Sequence, residues 1–175
     1  DKKVAKLLMR LVDFFRLSVK VDRSMVTLDD ELELVEAYME LMCYRYPELF
    51  CDYDIDPDLG AVQVPNFILQ PLVENSINHG LRDVEWEKKI WLSVYRENDR
   101  ICVSVRDNGV GISPERTQSI LNNGLNGVGL QEHTTGVGLR NVIGRLRLFY
   151  NRDDVMEITS TGSGMGTEVA VFIPV

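Results

Sequence analysis

Cysteine and histidine are scarce in this chain of 175 residues, which contains three of the former and two of the latter. Cys43, Cys51 and Cys102 are odd in number and show no C-x-x-C spacing. This pattern argues against both a disulfide framework and a zinc site. We therefore expect reduced thiols, as in a cytoplasmic protein.

Long apolar runs and a basic stripe are also missing. No stretch approaches the roughly 18 apolar residues of a membrane-spanning helix, and no signal peptide is visible. The formal net charge of −8 excludes nucleic acid as an expected partner. The longest basic cluster, Arg140, Arg145 and Arg147, is interleaved with apolar residues and fits an amphipathic helix. Because the chain starts at Asp1, we expect a piece of a longer protein.

An acidic, glycine-rich motif, Asp107-Asn108-Gly109-Val110-Gly111-Ile112, follows an apolar pattern of period two. The pattern predicts a half-buried strand that carries Asp107 to the edge of a sheet. Gly109 and Gly111 can adopt positive φ and let a ligand approach the backbone. A carboxylate there can accept a hydrogen bond from an exocyclic amine, as on adenine. A simple D-N-G turn is the better interpretation of the motif taken alone.

A helix with one polar face is predicted over Pro65 to Gly80, with Gly80 as its end. Its apolar residues are spaced to face a sheet, and its polar residues repeat at i, i+4 on the other side. Oxygen ligands of this kind suit Mg²⁺, which takes only one or two protein groups beside waters and substrate phosphates. The polar face consists of Gln70, Glu74, Asn75, Asn78 and His79.

Two further glycine motifs follow downstream. Gly136-Val137-Gly138-Leu139 opens a predicted helix, whose N–H groups and dipole can meet a phosphate. Gly166-Thr167 precedes a final apolar strand. One such motif is weak evidence, but the ordered series is much stronger.

The series resembles the ATP-binding domain shared by histidine kinases, type II topoisomerases, Hsp90 chaperones and MutL repair proteins. Residues 69–75 (LQPLVEN) and 138–147 (GLRNVIGRLR) are similar to the LytS-type sensor histidine kinases, and the resemblance covers nearly the whole chain. It implies a two-layer α/β sandwich, with a mixed sheet covered by helices, after an N-terminal helical hairpin. It also implies ATP and Mg²⁺ as cofactors, a homodimeric full-length protein anchored in the bacterial plasma membrane, and a downstream response regulator.

The resemblance assigns site residues by motif position. Asn75 is implied as the Mg²⁺ ligand and, with Glu74, as catalytic; Asp107 is implied to read the adenine amine, supported by Thr167 through water. The other residues implied to contact the nucleotide are Asn78, His79, Gly109, Gly111, Gly136, Val137, Gly138 and Leu139.

Two positions depart from the pattern of the relatives. ATP-hydrolysing members have a glutamate four residues before the metal-binding Asn, where this chain has Pro71, which favours phosphoryl transfer over hydrolysis. Many histidine kinases have a lysine three residues after that Asn, where this chain has Asn78. Arg82 or Arg140 is then expected to meet the phosphates.

The phosphoacceptor is expected upstream of this chain. His79 is predicted beside the phosphates and His133 in a glycine-rich lid, residues 122–135. In LytS-type kinases the acceptor lies in an N-P-H-F phrase, which this chain lacks. We therefore predict a histidine kinase domain that cannot phosphorylate itself. The alternatives are a GHKL-type ATPase and an anti-sigma-type serine kinase or nucleotide-sensing module.

The predicted organisation is a helical segment, 1–47, followed by an ATP-binding domain, 48–175. A capping box at Thr27 and Asp30 starts the second helix, whose heptad-like apolar face covers its own domain or packs in a dimer. Further elements are predicted as a strand over 49–55, a hairpin turning at Asn98-Asp99, a helix starting at Ser113-Pro114, and strands over 155–159 and 167–173.

Overall fold

The computed structural model describes residues 2–20, 24–122, 137–160 and 164–175. Two packed helices open the chain, α1 over Lys2–Lys20 and α2 over Leu28–Arg45. An ion pair joins Arg10 of α1 to Glu40 of α2 at 2.7 Å. The predicted N-terminal hairpin is therefore confirmed. Within the described residues, none of the helices combines the length and apolar character needed to cross a membrane.

A mixed five-stranded sheet forms the centre of the fold. Its strands are β2 Leu49–Ile55, β4 Lys88–Glu97, β5 Arg100–Asp107, β6 Met156–Thr159 and β7 Thr167–Pro174. Their order across the sheet is β2-β4-β5-β7-β6, with β2 parallel to β4 and every other pair antiparallel. The predicted α/β class is confirmed. The helices of this part are α3 Leu69–Asn75, α4 Pro114–Asn122 and α5 Val137–Tyr150.

The core lies between one face of the sheet and the helices. Alternate residues of β4 are buried, as a period of two predicts. Strand β5 was predicted to be half-buried, but every residue from Ile101 to Val105 is buried, because β5 lies between β4 and β7 in the middle of the sheet. The hairpin between these strands turns at Asn98, which has φ 56°, a value that Asn tolerates better than most residues. The apolar residues that β4 and β5 contribute to the core cluster are Ile90, Leu92, Val94, Ile101, Val103 and Val105.

The apolar face of α2 packs into this same core. Leu28, Leu32, Val35 and Met39 are buried in one cluster with the residues of the sheet. This packing supports the interpretation that the face covers its own domain. The domain division at residue 47 stays a prediction.

A capping box begins α2, as predicted. The Thr27 hydroxyl accepts a bond from the Asp30 N–H at 3.1 Å, and the Thr27 N–H donates to the Asp30 carboxylate at 3.0 Å. Thr27→Ala should lower the free energy of unfolding by about 1 kcal/mol, because an N–H group of the first turn loses its acceptor. Urea denaturation measures the change. Thr27→Ser keeps the hydroxyl and is the control; an equal loss in both variants would contradict the capping role.

One prediction about secondary structure was wrong, and one small sheet was not predicted. The helix predicted from Pro65 begins at Leu69, because Pro65 ends strand β3, Gln63–Pro65, and Phe67 adopts a left-handed φ of 54°. Strand β3 pairs with β1, Met25–Thr27, in a two-stranded sheet that was not predicted. After α3 the chain continues as a π-helix, Ser76–Gly80. Residues 123–135 of the predicted lid and 161–163 of the β6–β7 turn lie outside the described residues.

Candidate nucleotide-binding site

A cavity of about 350 Å³ lies where the π-helix meets the ends of β5 and β7. Its lining brings together residues that stand far apart in the sequence. Those predicted as site residues are Asn75, Asn78, His79, Asp107, Gly111, Leu139 and Thr167. This clustering supports the interpretation of the motifs as one site.

Asp107 is the most buried acidic residue of the cavity lining, since only 3% of its surface is exposed. Its Oδ1 accepts hydrogen bonds from the backbone N–H groups of Gly109 at 2.9 Å and Thr167 at 3.2 Å. The Ser76 hydroxyl also donates to the carboxylate. Burial raises the pKa of Asp107, and these three bonds oppose the rise. Thr167 thus supports Asp107 directly through its backbone. These bonds hold the Asp107 carboxylate as a hydrogen-bond acceptor in a position shielded from solvent.

Two glycines let backbone segments meet beside Asp107. A Cβ on Gly109 would lie 2.0 Å from the carbonyl oxygen of Gly80, and one on Gly166 would lie 2.0 Å from the carbonyl oxygen of Asp107. Gly111 has the predicted positive φ, 80°. The same expectation for Gly109 was wrong, since its φ is not positive; close backbone approach is what requires glycine there.

The π-helix carries further polar groups to the cavity. Asn75 is half-buried at the end of α3, and Asn78 is exposed. Burial, with the nearby charges of Arg116 and Arg82, lowers the pKa of His79 and so favours its neutral imidazole. Single π-helical turns occur often at functional sites. Here the π-helix separates Asn75 from His79 while both still line the cavity.

Other predicted residues lie outside the cavity lining. Glu74 is half-buried and accepts a hydrogen bond from Gln70 at 2.7 Å. Arg140, which was expected as an alternative to Arg82 for contacting the phosphates, donates a hydrogen bond to the Ser119 hydroxyl of α4 at 3.1 Å. Gly138 lies beside Pro71, because a Cβ atom added to Gly138 would be 3.6 Å from the Pro71 Cβ. Gly136 lies outside the described residues, as does the side chain of Val137.

Several residues of the site were not predicted from the sequence, including Arg116, Ser113 and Ser76. Arg116 and Ser113 line the cavity from the start of α4, and Ser76 donates to Asp107. Ser76 directly follows Asn75, so its position next to the predicted metal ligand could have marked it as a site residue. Arg116 lies more than thirty residues from the polar helix in sequence, and no local pattern marks it. With Arg82 it supplies positive charge to the cavity.

The donor set fits a magnesium ion that arrives with a nucleotide. Among residues 2–20, 24–122, 137–160 and 164–175, no group of three or more His, Cys, Asp or Glu could hold a metal on its own. A single amide oxygen, such as that of Asn75, suits Mg²⁺ held mainly by phosphates and waters.

Known protein families account for both parts of the chain. Residues 64–175 match the family described as histidine kinase-, DNA gyrase B- and HSP90-like ATPases. Residues 1–50 match the family described as histidine kinase. The resemblance stated from the motifs is therefore confirmed.

Individual relatives agree with these families. The chain is 34% identical over 176 residues to the sensor protein LytS of Staphylococcus haemolyticus and 35% identical over 178 residues to that of Staphylococcus epidermidis. These matches cover 99% of this chain and 29% of each relative's length.

Solved structures share the fold. Full-length ShkA in complex with AMPPNP superposes with a TM-score of 0.60 at 20% identity, covering 98% of this chain and 36% of that one. The histidine kinase domain of the Erythrobacter litoralis blue-light activated kinase EL346 gives 0.59 at 17% identity, covering 96% and 74%. The chain belongs to the family of histidine kinase-, DNA gyrase B- and HSP90-like ATPases.

Proposed function

We propose that this chain is the ATP-binding catalytic domain of a two-component sensor histidine kinase, which transfers the γ-phosphate of ATP to a histidine outside these residues. The observation that carries the proposal is the buried carboxylate of Asp107, held by two backbone N–H groups in the cavity that Asn75 also lines. Asp107 offers a hydrogen-bond acceptor for the adenine of Mg-ATP, and Asn75 in the same cavity offers an amide oxygen for the metal at its phosphates.

The adenine end is assigned to Asp107. Its carboxylate accepts a hydrogen bond from the exocyclic amine, while Gly109, Gly111 and Thr167 keep the surrounding backbone in place. The phosphate end is assigned to Asn75 at the end of α3 and to Asn78 and His79 of the π-helix. It is also assigned to Gly136, and to Val137, Gly138 and Leu139 of the first turn of α5. Arg82 and Arg116 supply the positive charge.

The reaction forms a bond between an imidazole nitrogen and the γ-phosphorus as the bond to the bridging oxygen of ADP breaks. When bound, Mg²⁺ would neutralise charge on the phosphates, with Asn75 as its protein ligand. Glu74 stands next to Asn75 and is assigned to accept a hydrogen bond from the N–H of the incoming imidazole. The protein thus acts mainly by orientation and charge compensation.

Transfer is favoured over hydrolysis by Pro71. The position at which ATP-hydrolysing relatives carry a glutamate is occupied by a ring that packs beside Gly138 of α5. No carboxylate is available there to activate a water molecule. This feature supports the kinase over the alternative ATPase.

The full-length protein is proposed to be a homodimer that passes the phosphoryl group to a response regulator. It is further proposed to be anchored in the bacterial plasma membrane, with this domain on the cytoplasmic side. The relatives named as sensor proteins support these assignments, although the chain spans only 29% of their length.

Calorimetric titration with ATP tests the proposal. The chain should bind Mg-ATP, and Asn75→Ala should weaken that binding about tenfold to a hundredfold, because one ligand of the ion is lost. Metal-free ATP should bind both proteins alike. Gln63→Ala, which removes an exposed amide of β3 outside the cavity lining, is the control. The proposal would be overturned if the wild-type chain bound no ATP, and the role of Asn75 if the variant matched it.

A further inference from the structure

A second buried carboxylate lies outside the cavity. Glu31 of α2 is 1% exposed, although it carries a formal charge. It accepts hydrogen bonds from the backbone N–H groups of Phe67 at 2.6 Å, Ile68 at 2.9 Å and Leu69 at 2.9 Å. Helix α3 begins at Leu69, and its own N-cap residue makes no side-chain bond. Glu31 therefore supplies the acceptors that the start of α3 lacks.

Arg145 of α5 holds the same segment from its other side. Its guanidinium donates to the carbonyl oxygens of Asn66 and Phe67, the latter at 2.7 Å, and its charge favours the ionised form of Glu31. Phe67 thus has its N–H bound by one helix and its carbonyl by another. Its left-handed φ of 54° is rare for a bulky residue and persists only where neighbouring groups impose it.

The held segment leads directly to the metal-binding end of the proposed site. Helix α3 has seven residues and ends at Asn75, so about 10 Å of helix separates the Glu31 contact from that side chain. Leu69, Leu72 and Val73 are fully buried, which makes α3 a packed element rather than a flexible one. A displacement of its first residue is therefore carried to its last.

We propose that Glu31 is a positioning residue for the phosphoryl-transfer site: by fixing the start of α3 it places Asn75, and so couples the position of α2 to metal-dependent nucleotide binding. This inference rests on the proposed function, since it takes Asn75 as the Mg²⁺ ligand. Helix α2 lies in the part of the chain that matches the histidine kinase family, residues 1–50. The contact thus joins that part to the nucleotide site.

Glu31→Gln tests the coupling. Ile68 and Leu69 both donate to Oε2 and Phe67 to Oε1, so an amide of the same size leaves at least one N–H facing a donor in either orientation. We expect the affinity for Mg-ADP to fall on the order of tenfold, while metal-free ADP, read through Asp107, changes less than about twofold. Glu33→Gln, on the exposed side of α2, should match the wild type in both titrations.

Arg145→Lys provides a second variant should Glu31→Gln fail to fold. A lysine keeps the charge but lacks the planar fork that reaches two carbonyl oxygens, so the same split between Mg-ADP and metal-free ADP is expected. Unchanged binding, or an equal loss with and without Mg²⁺, would overturn the inference alone. Failure of the wild-type chain to bind ADP in either form would overturn the proposed function, and this inference with it.

Discussion

Asp107→Asn should remove most of the affinity for nucleotide while leaving the fold intact. The asparagine keeps one oxygen for the N–H groups of Gly109 and Thr167, which both donate to Oδ1. Its amide nitrogen replaces the other oxygen, so the adenine amine would meet a donor instead of an acceptor. Losing this charged partner costs about 1.5–3 kcal/mol, on the order of tenfold to a hundredfold in affinity measured by calorimetry.

The control for this variant is Asp83→Asn, the same change at an exposed carboxylate of the same cavity. It should alter the affinity less than about threefold, because a solvated group has little to lose. An Asp107→Asn variant that bound ATP as tightly as the wild type would remove Asp107 from the adenine site.

Asp107→Asn should also change how the stability of the domain depends on pH, because it removes a buried titratable group. Burial raises the pKa of Asp107 in the folded state, so folding favours its protonated form. The stability contributed by that group is complete below the pKa of the unfolded chain and is lost as pH rises through the folded pKa. The asparagine does not titrate. Urea denaturation at several pH values should therefore show the variant gaining stability relative to the wild type as pH rises through this range.

Incubation with radiolabelled ATP should leave this chain unlabelled, whereas a longer fragment of the parent protein that includes the acceptor histidine should become labelled. His79 lines the nucleotide cavity, and His133 lies outside the described residues; neither is assigned as the acceptor. The label should be acid-labile and base-stable, as a phosphoramidate is. Asn75→Ala in the longer fragment should abolish it, because charge compensation at the phosphates is lost.

Replacing the acceptor histidine of the longer fragment by alanine is the matched control, since it removes the label without affecting ATP binding. Acid-stable label on the short chain would contradict the histidine kinase and indicate a serine or threonine acceptor. Labelled inorganic phosphate released at a comparable rate would instead indicate the ATPase alternative.

Local patterns predicted most of the sheet and the helix starts. The turn at Asn98, the capping box at Thr27 and the start of α4 at Pro114 each depend on a few neighbouring residues. The start of α3 could not be predicted in this way. Its first N–H groups are bound by Glu31, 37 and 38 residues away for Ile68 and Leu69, and such a partner leaves no periodic signal. Strands β1 and β3, three residues each, also form only through distant pairing.

The candidate site was predicted as far as motifs extend. Asp107 and Asn75 belong to short patterns with a chemical meaning, and the structure places both at one cavity. Arg116 belongs to α4 and reaches the cavity through tertiary packing, so no local pattern predicts its contribution. The requirement for glycine at Gly109 was expected, but its cause is contact with the Gly80 carbonyl and not backbone conformation. Sequence patterns thus indicate which residues matter better than why.

The two outer strands of the described sheet, β2 and β6, determine how the domain resists aggregation. Strand β2 exposes Phe50 and Tyr53, which would favour the addition of a foreign strand, but it also exposes the carboxylates of Asp52 and Asp54. A strand docking there would bring these charges out of water. At the opposite edge, β6 has only four residues and offers little backbone to pair with. The sheet is thereby protected against growing from one molecule into the next.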